Sequence, residues 1–114
     1  MVIKASRKKL TPREVRNVIS KFQARLNDEQ IDVERVLLFG SYARGSAHRD
    51  SDIDVAVIMP PRVPAQTRKK IPHIPWFAKQ VHVKLEPHIL SERDMRNRWL
   101  SLPAEVKRFG VKVR

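Results

Sequence analysis

The residue types best suited to chemistry lie in two short motifs, Gly-Ser-Tyr-Ala-Arg-Gly at residues 40–45 and Asp-Ile-Asp at residues 52–54. Gly40 directly follows an apolar segment. Because glycine has no Cβ, it lets the chain turn sharply and brings backbone N–H groups close to a ligand. Such N–H groups, together with the Ser41 hydroxyl, suit phosphate oxygens, especially where a helical turn begins. The first motif is therefore predicted to bind phosphate.

The second motif is suited to a metal ion. Asp52 and Asp54 are two residues apart at the start of a predicted strand, so both carboxylates are expected on one face, roughly 6–7 Å apart along the strand. Mg²⁺ in proteins is usually held by one or two carboxylates together with substrate phosphates and water. A phosphate-binding loop beside paired carboxylates indicates metal-dependent phosphoryl or nucleotidyl transfer.

Two other interpretations of the motifs are weaker. The residues could simply form a turn that leads into an Asp-rich strand start, but Gly, Ser, Asp and Asp at this spacing occur by chance at about one position in 10⁵. A P-loop would share the glycine spacing of Gly40 and Gly45. However, Ser46 and Ala47 stand where that motif requires Lys followed by Ser or Thr. The P-loop is therefore excluded.

Capping residues and apolar spacing predict two helices that help to position these motifs. Thr11 can cap the first helix, with Glu14 as its capping-box partner, and apolar residues at three- and four-residue intervals continue the helix to about Leu26. Ser91 can cap a charged helix that continues to about residue 100.

Apolar segments predict strands over residues 33–39 and 53–59, and alternation predicts a third strand over residues 80–86, with 111–113 as a short edge strand. Residues 60–75 contain five prolines and four basic residues, so they are predicted to form an extended basic loop. Trp76 and Trp99 flank apolar residues and are expected in the core. The expected fold class is α/β (α+β): a small mixed β-sheet with helices on one face.

Composition limits the class of protein. The 114 residues suit one domain, expected over residues 11–114 after a basic flexible leader of residues 1–10. There is no cysteine, which excludes disulfides and thiolate metal sites. No apolar run approaches the ~20 residues that span a membrane, and signal-peptide features are absent, so a cytoplasmic protein is expected. The formal net charge of +12 favours an anionic partner: a nucleotide, RNA or an acidic protein.

The two motifs together resemble the signature of the DNA polymerase β-like nucleotidyltransferase superfamily. The short chain and the form Gly-Ser-Tyr-Ala-Arg-Gly resemble its minimal nucleotidyltransferase (MNT) family, strongly over residues 37–57 and more weakly over residues 81–113. The resemblance implies a nucleotidyltransferase fold that uses ATP or another nucleoside triphosphate with Mg²⁺. It implies that Gly40 and Ser41 hold the triphosphate and that Asp52 and Asp54 bind the metal ion. Arg44 could approach a phosphate or simply cover the loop.

The resemblance also implies a partner. Minimal nucleotidyltransferases are commonly encoded beside a HEPN-domain protein, as the antitoxin of a toxin–antitoxin pair. Some members transfer AMP from ATP onto a tyrosine of the partner toxin and so silence it. An adenylyltransferase acting on a partner protein is therefore the leading hypothesis, and a homo- or hetero-oligomer is possible.

The third carboxylate that the superfamily normally uses is the one part of the signature that this sequence is not expected to match. It normally stands in the next strand within an apolar–acid–apolar triplet, which this sequence matches at Val81, His82 and Val83. His82 could act as a base or metal ligand, could mark a domain that binds nucleotide but turns over poorly, or could be an ordinary polar residue on the open face of the sheet. Glu86 would share its face, but about 13 Å farther along the strand.

Two other classes of function compete with catalysis. A catalytically degenerate nucleotidyltransferase fold could regulate its partner by complex formation alone. A basic RNA-binding domain is a third hypothesis, which depends on charge only, since the sequence lacks the aromatic platforms that single-strand binders use.

Overall fold

The computed structural model describes residues 8–97, residue 102 and residues 111–112. The elements, in chain order, are α1 (Pro12–Asp28), β1 (Arg35–Phe39), α2 (Ser41–Arg44), β2 (Ile53–Met59), α3 (Ala65–Arg68), a 3₁₀ helix (Ile71–His73), α4 (Ile74–Val81), β3 (Leu85–Ser91), α5 (Glu92–Arg96) and β4 (Val111–Lys112). The strands form one mixed sheet in the spatial order β3-β2-β1-β4. β2 is antiparallel to β1 and parallel to β3, and β4 is antiparallel to β1.

The first helix begins where its capping residues predict. The Thr11 hydroxyl accepts a hydrogen bond from the Glu14 N–H at 3.1 Å, and the Glu14 carboxylate accepts one from the Thr11 N–H at 2.9 Å. This capping box satisfies two N–H groups that have no partner within the helix. Val15, Ile19, Phe22 and Leu26 form the buried stripe of α1. The predicted start and buried face are confirmed, and the helix ends two residues beyond Leu26.

Alternate residues of β2 divide the sheet into two faces. Ile53, Val55 and Val57 point to the face that α1 and α4 cover, which we call the α1 face. Ala56 and Ile58 point to the other face, where Met95 of α5 packs, and we call this the α5 face. The α1 face holds the larger apolar cluster, and the α5 face holds a smaller one that includes Leu37, Phe39 and Leu90.

The proline-rich segment is helical in α3, in the 3₁₀ helix and at the start of α4, so its interpretation as an extended loop is wrong there. The helix α3 and the 3₁₀ helix lie within residues 60–75. Pro72 and Pro75 occupy first-turn positions of the 3₁₀ helix and α4, where a missing N–H interrupts no helical hydrogen bond. Ile74 and Phe77 then pack into the α1 face.

The third strand begins later than the alternation predicts. α4 continues to Val81, the His82 N–H donates to the Ala78 carbonyl at its end, and β3 starts only at Leu85. The prediction of a strand over residues 80–86 is therefore wrong. Val83, expected to face the core, has 76% of its surface exposed. The position of β3 changes which side chains can reach the first two strands.

Trp76 is also misplaced by the sequence interpretation. Its exposed fraction is 61%, because the buried face of α4 is formed by Ile74, Phe77 and Ala78. Trp99 lies outside the described residues.

The helix predicted to begin after Ser91 is present as α5. The Ser91 hydroxyl accepts from the Asp94 N–H and the Asp94 carboxylate accepts from the Ser91 N–H, both at 2.9 Å. The part of the predicted helix beyond residue 97 falls outside the described residues. Val111–Lys112 pairs with β1 as an edge strand, as predicted. In the described part of the chain, every helix is too short or too polar to cross a membrane.

Candidate functional site

Gly40 brings the end of β1 directly against a carboxylate of β2. Its backbone, at φ 75° and ψ −157°, lies in a region that is essentially restricted to glycine. A Cβ added to Gly40 would lie only 2.5 Å from Asp54 Oδ2. The absence of a side chain therefore permits both the turn and the close approach. This contact joins the two motifs that the sequence analysis selected.

The helical turn predicted after Gly40 is present as α2. Gly40 occupies the N-cap position, and within the described residues no side chain caps the turn. Gly45, at φ 77°, ends the turn in the left-handed conformation. Ser41 is half-buried at the first position of α2, and Arg44 is exposed at its last position. Both side chains therefore lie on the loop that passes over the Asp54 carboxylate.

The two aspartates differ in how the fold holds them. Asp54 belongs to β2, where it pairs in register with Phe39 of β1 and with Glu86 of β3, and 28% of its side chain is exposed. Asp52 immediately precedes β2 and is exposed. It follows Ser51, whose buried hydroxyl accepts a hydrogen bond from the His48 N–H at 2.9 Å. The Ser51 contact closes a tight turn that presents Asp52 at the start of the strand.

His82 does not reach this site. It lies at the turn between α4 and β3, where its Nδ1 accepts a hydrogen bond from the Lys84 N–H at 3.0 Å. Burial lowers the pKa of His82, and the positive charges of Lys84 and Lys79 lower that pKa further. Assigning His82 to the third site position is therefore wrong, because the strand that was to carry it begins three residues later, at Leu85.

His88 is the histidine that contacts the site. Its Nε2 lies 3.3 Å from Asp54 Oδ1, and its ring packs edge-on against Phe39 with 5.1 Å between ring centroids. The sequence interpretation found no role for His88. The triplet pattern itself was present one step earlier, because Leu85, Glu86 and Pro87 form an apolar–acid–apolar triplet and Glu86 pairs in register with Asp54. Only the correct start of β3 distinguishes this triplet from the one at His82.

Glu86 is closer to the site than the predicted register allowed. In the observed register Glu86 pairs with Asp54. The predicted register had put Glu86 four residues beyond the position expected for the third carboxylate. Its carboxylate is engaged elsewhere, since Oε1 accepts from Lys79 Nζ at 2.6 Å at the edge of the sheet. The Glu86 carboxylate is therefore next to Asp54 in the strand register but is paired with Lys79, near the end of α4, through a partly exposed ion pair.

The donor groups fit a magnesium ion that binds together with a nucleotide. Among the described residues, no three His, Asp or Glu side chains converge closely enough to hold a metal ion by themselves. Mg²⁺ needs no such cage, because it is usually bound through one or two carboxylates with substrate phosphates and water. Asp52 and Asp54 could supply the carboxylates. The space over Gly40 that a Cβ would occupy lies next to Asp54 Oδ2.

Tyr42 connects the loop to the segment that precedes α1. Its hydroxyl accepts a hydrogen bond from the Leu10 N–H at 3.1 Å, and Leu10 packs beside the α1-face cluster. The end of the predicted leader is thus anchored to the motif that is predicted to bind phosphate. Residues 1–7 of that leader lie outside the described residues.

Comparisons with known proteins agree with this geometry. The family described as a nucleotidyltransferase domain matches residues 15–108. A protein of Methanocaldococcus jannaschii, assigned as a protein adenylyltransferase, is 28% identical over 102 residues, which are 88% of this chain and 99% of that protein.

Solved structures show the same fold. A Sulfolobus solfataricus chain assigned as a nucleotidyltransferase superposes with a TM-score of 0.53 at 17% identity, covering 86% of this chain and 78% of the other. A chain from a toxin–antitoxin structure determined with AMP-PNP superposes with a TM-score of 0.54 at 25% identity, covering 85% of this chain and 70% of the other. The expected α+β class with a small mixed sheet is therefore confirmed. The expectation that all helices lie on one face is wrong, because Met95 of α5 packs with Ala56 and Ile58 on the other face.

Proposed function

Because the chain belongs to the nucleotidyltransferase domain family, we propose that it is a Mg²⁺-dependent adenylyltransferase that transfers AMP from ATP onto a hydroxyl group of a partner protein. The observation that carries the proposal is the contact between Gly40 and Asp54. It brings the loop that we assign to phosphate and a carboxylate that we assign to the metal ion to one point of the sheet. The adenylyltransferase assignment of the M. jannaschii relative supports ATP as the donor.

The proposed binding roles follow the geometry of the loop and the strand. Gly40 and Ser41 hold the triphosphate, the first through its backbone and the second through its hydroxyl and its position at the start of α2. Arg44 neutralises phosphate charge from the end of the same turn. Asp52 and Asp54 hold Mg²⁺, which supplies charge stabilisation for the phosphates during transfer.

The proposed reaction is a single displacement at the α-phosphorus of ATP. The acceptor oxygen forms a bond to this phosphorus while the bond from it to the bridging oxygen breaks, and pyrophosphate leaves. The acceptor hydroxyl loses its proton to water or to a carboxylate of the site. The protein contributes chiefly by positioning the acceptor in line with the leaving group.

The proposed acceptor is a HEPN-type toxin, so this protein would act as an antitoxin in the cytoplasm. The likeness to a chain of a toxin–antitoxin structure supports a protein partner. The net charge of +12 is compatible with an acidic partner surface as well as with ATP.

Isotope position gives a direct test of the reaction. The protein is incubated with Mg²⁺, the candidate partner and ATP labelled at either the α- or the γ-phosphate. Adenylyl transfer predicts label on the partner from the α-position and none from the γ-position. Label from the γ-position would instead indicate phosphoryl transfer and overturn the proposal.

Substitutions then assign the reaction to the site. Asp52→Asn and Asp54→Asn should each abolish labelling, because the amide cannot replace a charged metal ligand. Asp32→Asn is the matched control, since Asp32 is exposed ahead of β1, at the end of that strand opposite Gly40. Equal activity in all three variants would place the chemistry elsewhere.

A second candidate function has one observation in its favour. The residue of β3 that contacts Asp54 is His88 rather than an acid, and Glu86 is paired with Lys79. With Glu86 held by Lys79, the carboxylates of Asp52 and Asp54 are left for a metal ion where the superfamily normally uses three. A non-catalytic module would bind its partner tightly, transfer no label, and retain partner binding in Asp54→Asn.

A further inference from the structure

The Asp54 carboxylate is confined on two sides. Oδ1 lies 3.3 Å from His88 Nε2, and Oδ2 lies against Gly40, in the space that a Cβ would occupy. An aspartate side chain ordinarily rotates over a broad range about its last torsion angle. In this fold, turning the carboxylate away from its observed plane would break the contact with His88.

The sheet register explains why His88 reaches Asp54. His88 pairs with Ala56, which lies one step along the same face of β2 from Asp54. The small Ala56 side chain leaves room for the imidazole to lean toward the carboxylate. Phe39, which pairs with Asp54 on the opposite strand, packs edge-on against the imidazole. A buried aromatic ring therefore holds His88 in the orientation that brings Nε2 to Asp54.

We propose, on the basis of the proposed function, that His88 is a positioning residue for Asp54: its imidazole N–H donates to Oδ1 and fixes the carboxylate with Oδ2 facing the phosphate-binding loop. Asp54 would then offer a metal ion one defined carboxylate oxygen. Partners that orient a metal ligand in this way commonly affect metal affinity without touching the metal.

His88 acts through Asp54 rather than as a metal ligand. The ring nitrogen nearest the site is the one that contacts Asp54, and Mg²⁺ prefers oxygen donors to imidazole. Within the described residues, no three His, Asp or Glu side chains converge on one point, which agrees with an indirect role.

Binding of Mn²⁺ tests the inference without any acceptor protein. The probe is Mn²⁺ with an ATP analogue whose α- and β-phosphates are joined by a methylene group, and free Mn²⁺ is measured by electron paramagnetic resonance. His88→Leu removes the donor and is expected to weaken Mn²⁺ binding about 10–100-fold. His88→Gln keeps an N–H donor and is expected to retain most of the wild-type affinity. His73→Leu, at an exposed histidine of the 3₁₀ helix, should leave affinity unchanged.

A spectroscopic signature separates positioning from direct ligation. Pulsed resonance spectra of wild-type protein labelled with [¹⁵N]histidine should show no coupling between Mn²⁺ and ¹⁵N, because the imidazole does not bind the ion. A ¹⁵N coupling would overturn the positioning role in favour of a ligand. This measurement needs no variant, so it decides whether the His88 imidazole binds the ion even if His88→Leu fails to fold.

The outcomes distinguish this inference from the proposed function. If the wild type binds Mn²⁺ and nucleotide but His88→Leu binds them equally well, only the inference is overturned. Equal weakening in His88→Leu and His88→Gln, with folding intact by thermal unfolding, also overturns it, because the N–H donor then has no special part. If the wild type binds neither Mn²⁺ nor the analogue, the proposed function fails and the inference fails with it.

Discussion

The two faces of the sheet use the same strand for different purposes. On the α1 face, Ile53 and Val55 are completely buried beneath helices. On the α5 face, the side chains of β2 change from apolar Ile58, through small Ala56, to charged Asp54 at the end nearest Gly40. One face is continuous core, whereas the other is core at one end and a polar site at the other. Stability and chemistry should therefore respond to different substitutions, even at adjacent residues.

The largest expected effect is on the α1 face. Phe22→Ala removes a completely buried ring from the centre of the α1 stripe and should lower the free energy of unfolding by about 3–5 kcal/mol. Denaturant unfolding measures the loss. Ser20→Ala, at an exposed position of the same helix, should change stability by less than about 0.5 kcal/mol. If the folded fraction of Phe22→Ala bound nucleotide more weakly than the wild type, the two faces would be coupled. The claim that stability and chemistry respond to different substitutions would then fail.

The next effect separates strain from function at the two glycines. Gly40→Ala should destabilise the fold by about 1–3 kcal/mol through backbone strain. Because the new Cβ displaces Asp54, affinity for Mn²⁺ and nucleotide should also fall about 10–100-fold. Gly45→Ala is the matched control, since its φ is also positive but its Cβ would meet nothing within 4 Å. That variant should lose roughly 1–2 kcal/mol of stability and keep its affinity. Equal affinities would show that the Gly40–Asp54 contact is dispensable.

Local signals explain which parts of the fold are predictable from sequence. The start of α1 depends on Thr11 and Glu14, which contact each other, and the course of the chain at Gly40 depends on a single backbone conformation. The strand β2 is apolar along its length after Asp54, and its predicted bounds agree with the structure. In these regions the residues that determine the structure are neighbours in sequence.

Long-range packing determines the remainder. Val81 satisfies both the two-residue period of a strand and the helical spacing from Ile74 and Phe77, so local pattern cannot decide between them. The helix prevails because it packs against α1, and β3 then begins only where it can pair with β2. The position of the site histidine follows from this register. Sequence alone therefore selected His82, while the pairing of the strands puts Glu86 beside Asp54 and brings His88 into contact with it.

Smaller effects are expected from the two capping boxes, one on each face. Thr11→Ala removes the cap of α1 and Ser91→Ala removes the cap of α5, and each should cost about 1 kcal/mol of stability. Ser91→Ala should not alter affinity for Mn²⁺ and nucleotide, because Ser91 pairs with Met59, at the end of β2 away from Asp54. Reduced affinity in Ser91→Ala alone would extend the polar site of the α5 face to α5 itself. Thermal unfolding and Mn²⁺ titration of the same samples make the comparison.

The smallest expected effect is the pH dependence due to His82, at the edge of the sheet. Burial, followed by the charges of Lys84 and Lys79, lowers the pKa of His82 in the folded protein below its ordinary value near 6.5. The unfolded chain therefore binds more protons at His82 at mildly acidic pH, so folding stability is fully present above pH ~6.5 and is lost as the pH falls through the lowered pKa. Protonation of Nδ1 would also remove the acceptor that holds the Lys84 N–H.

The difference between wild type and His82→Gln isolates this contribution from other titrating groups. The difference in free energy of unfolding between the wild type and His82→Gln should change as the pH falls from 7 to 5. If the wild type is the more stable protein at pH 7, this difference should become smaller. Affinity for Mn²⁺ and nucleotide, measured above pH 6.5, should be the same in both proteins, because His82 lies at the α4–β3 turn and does not contact Asp54. If the difference in stability between the two proteins did not change with pH, the titration of His82 would make no contribution to stability. A selective loss of affinity in His82→Gln would instead show that His82 belongs to the site. The variant therefore tests whether His82 serves stability alone while His88 serves the site, as the two faces of the sheet differ.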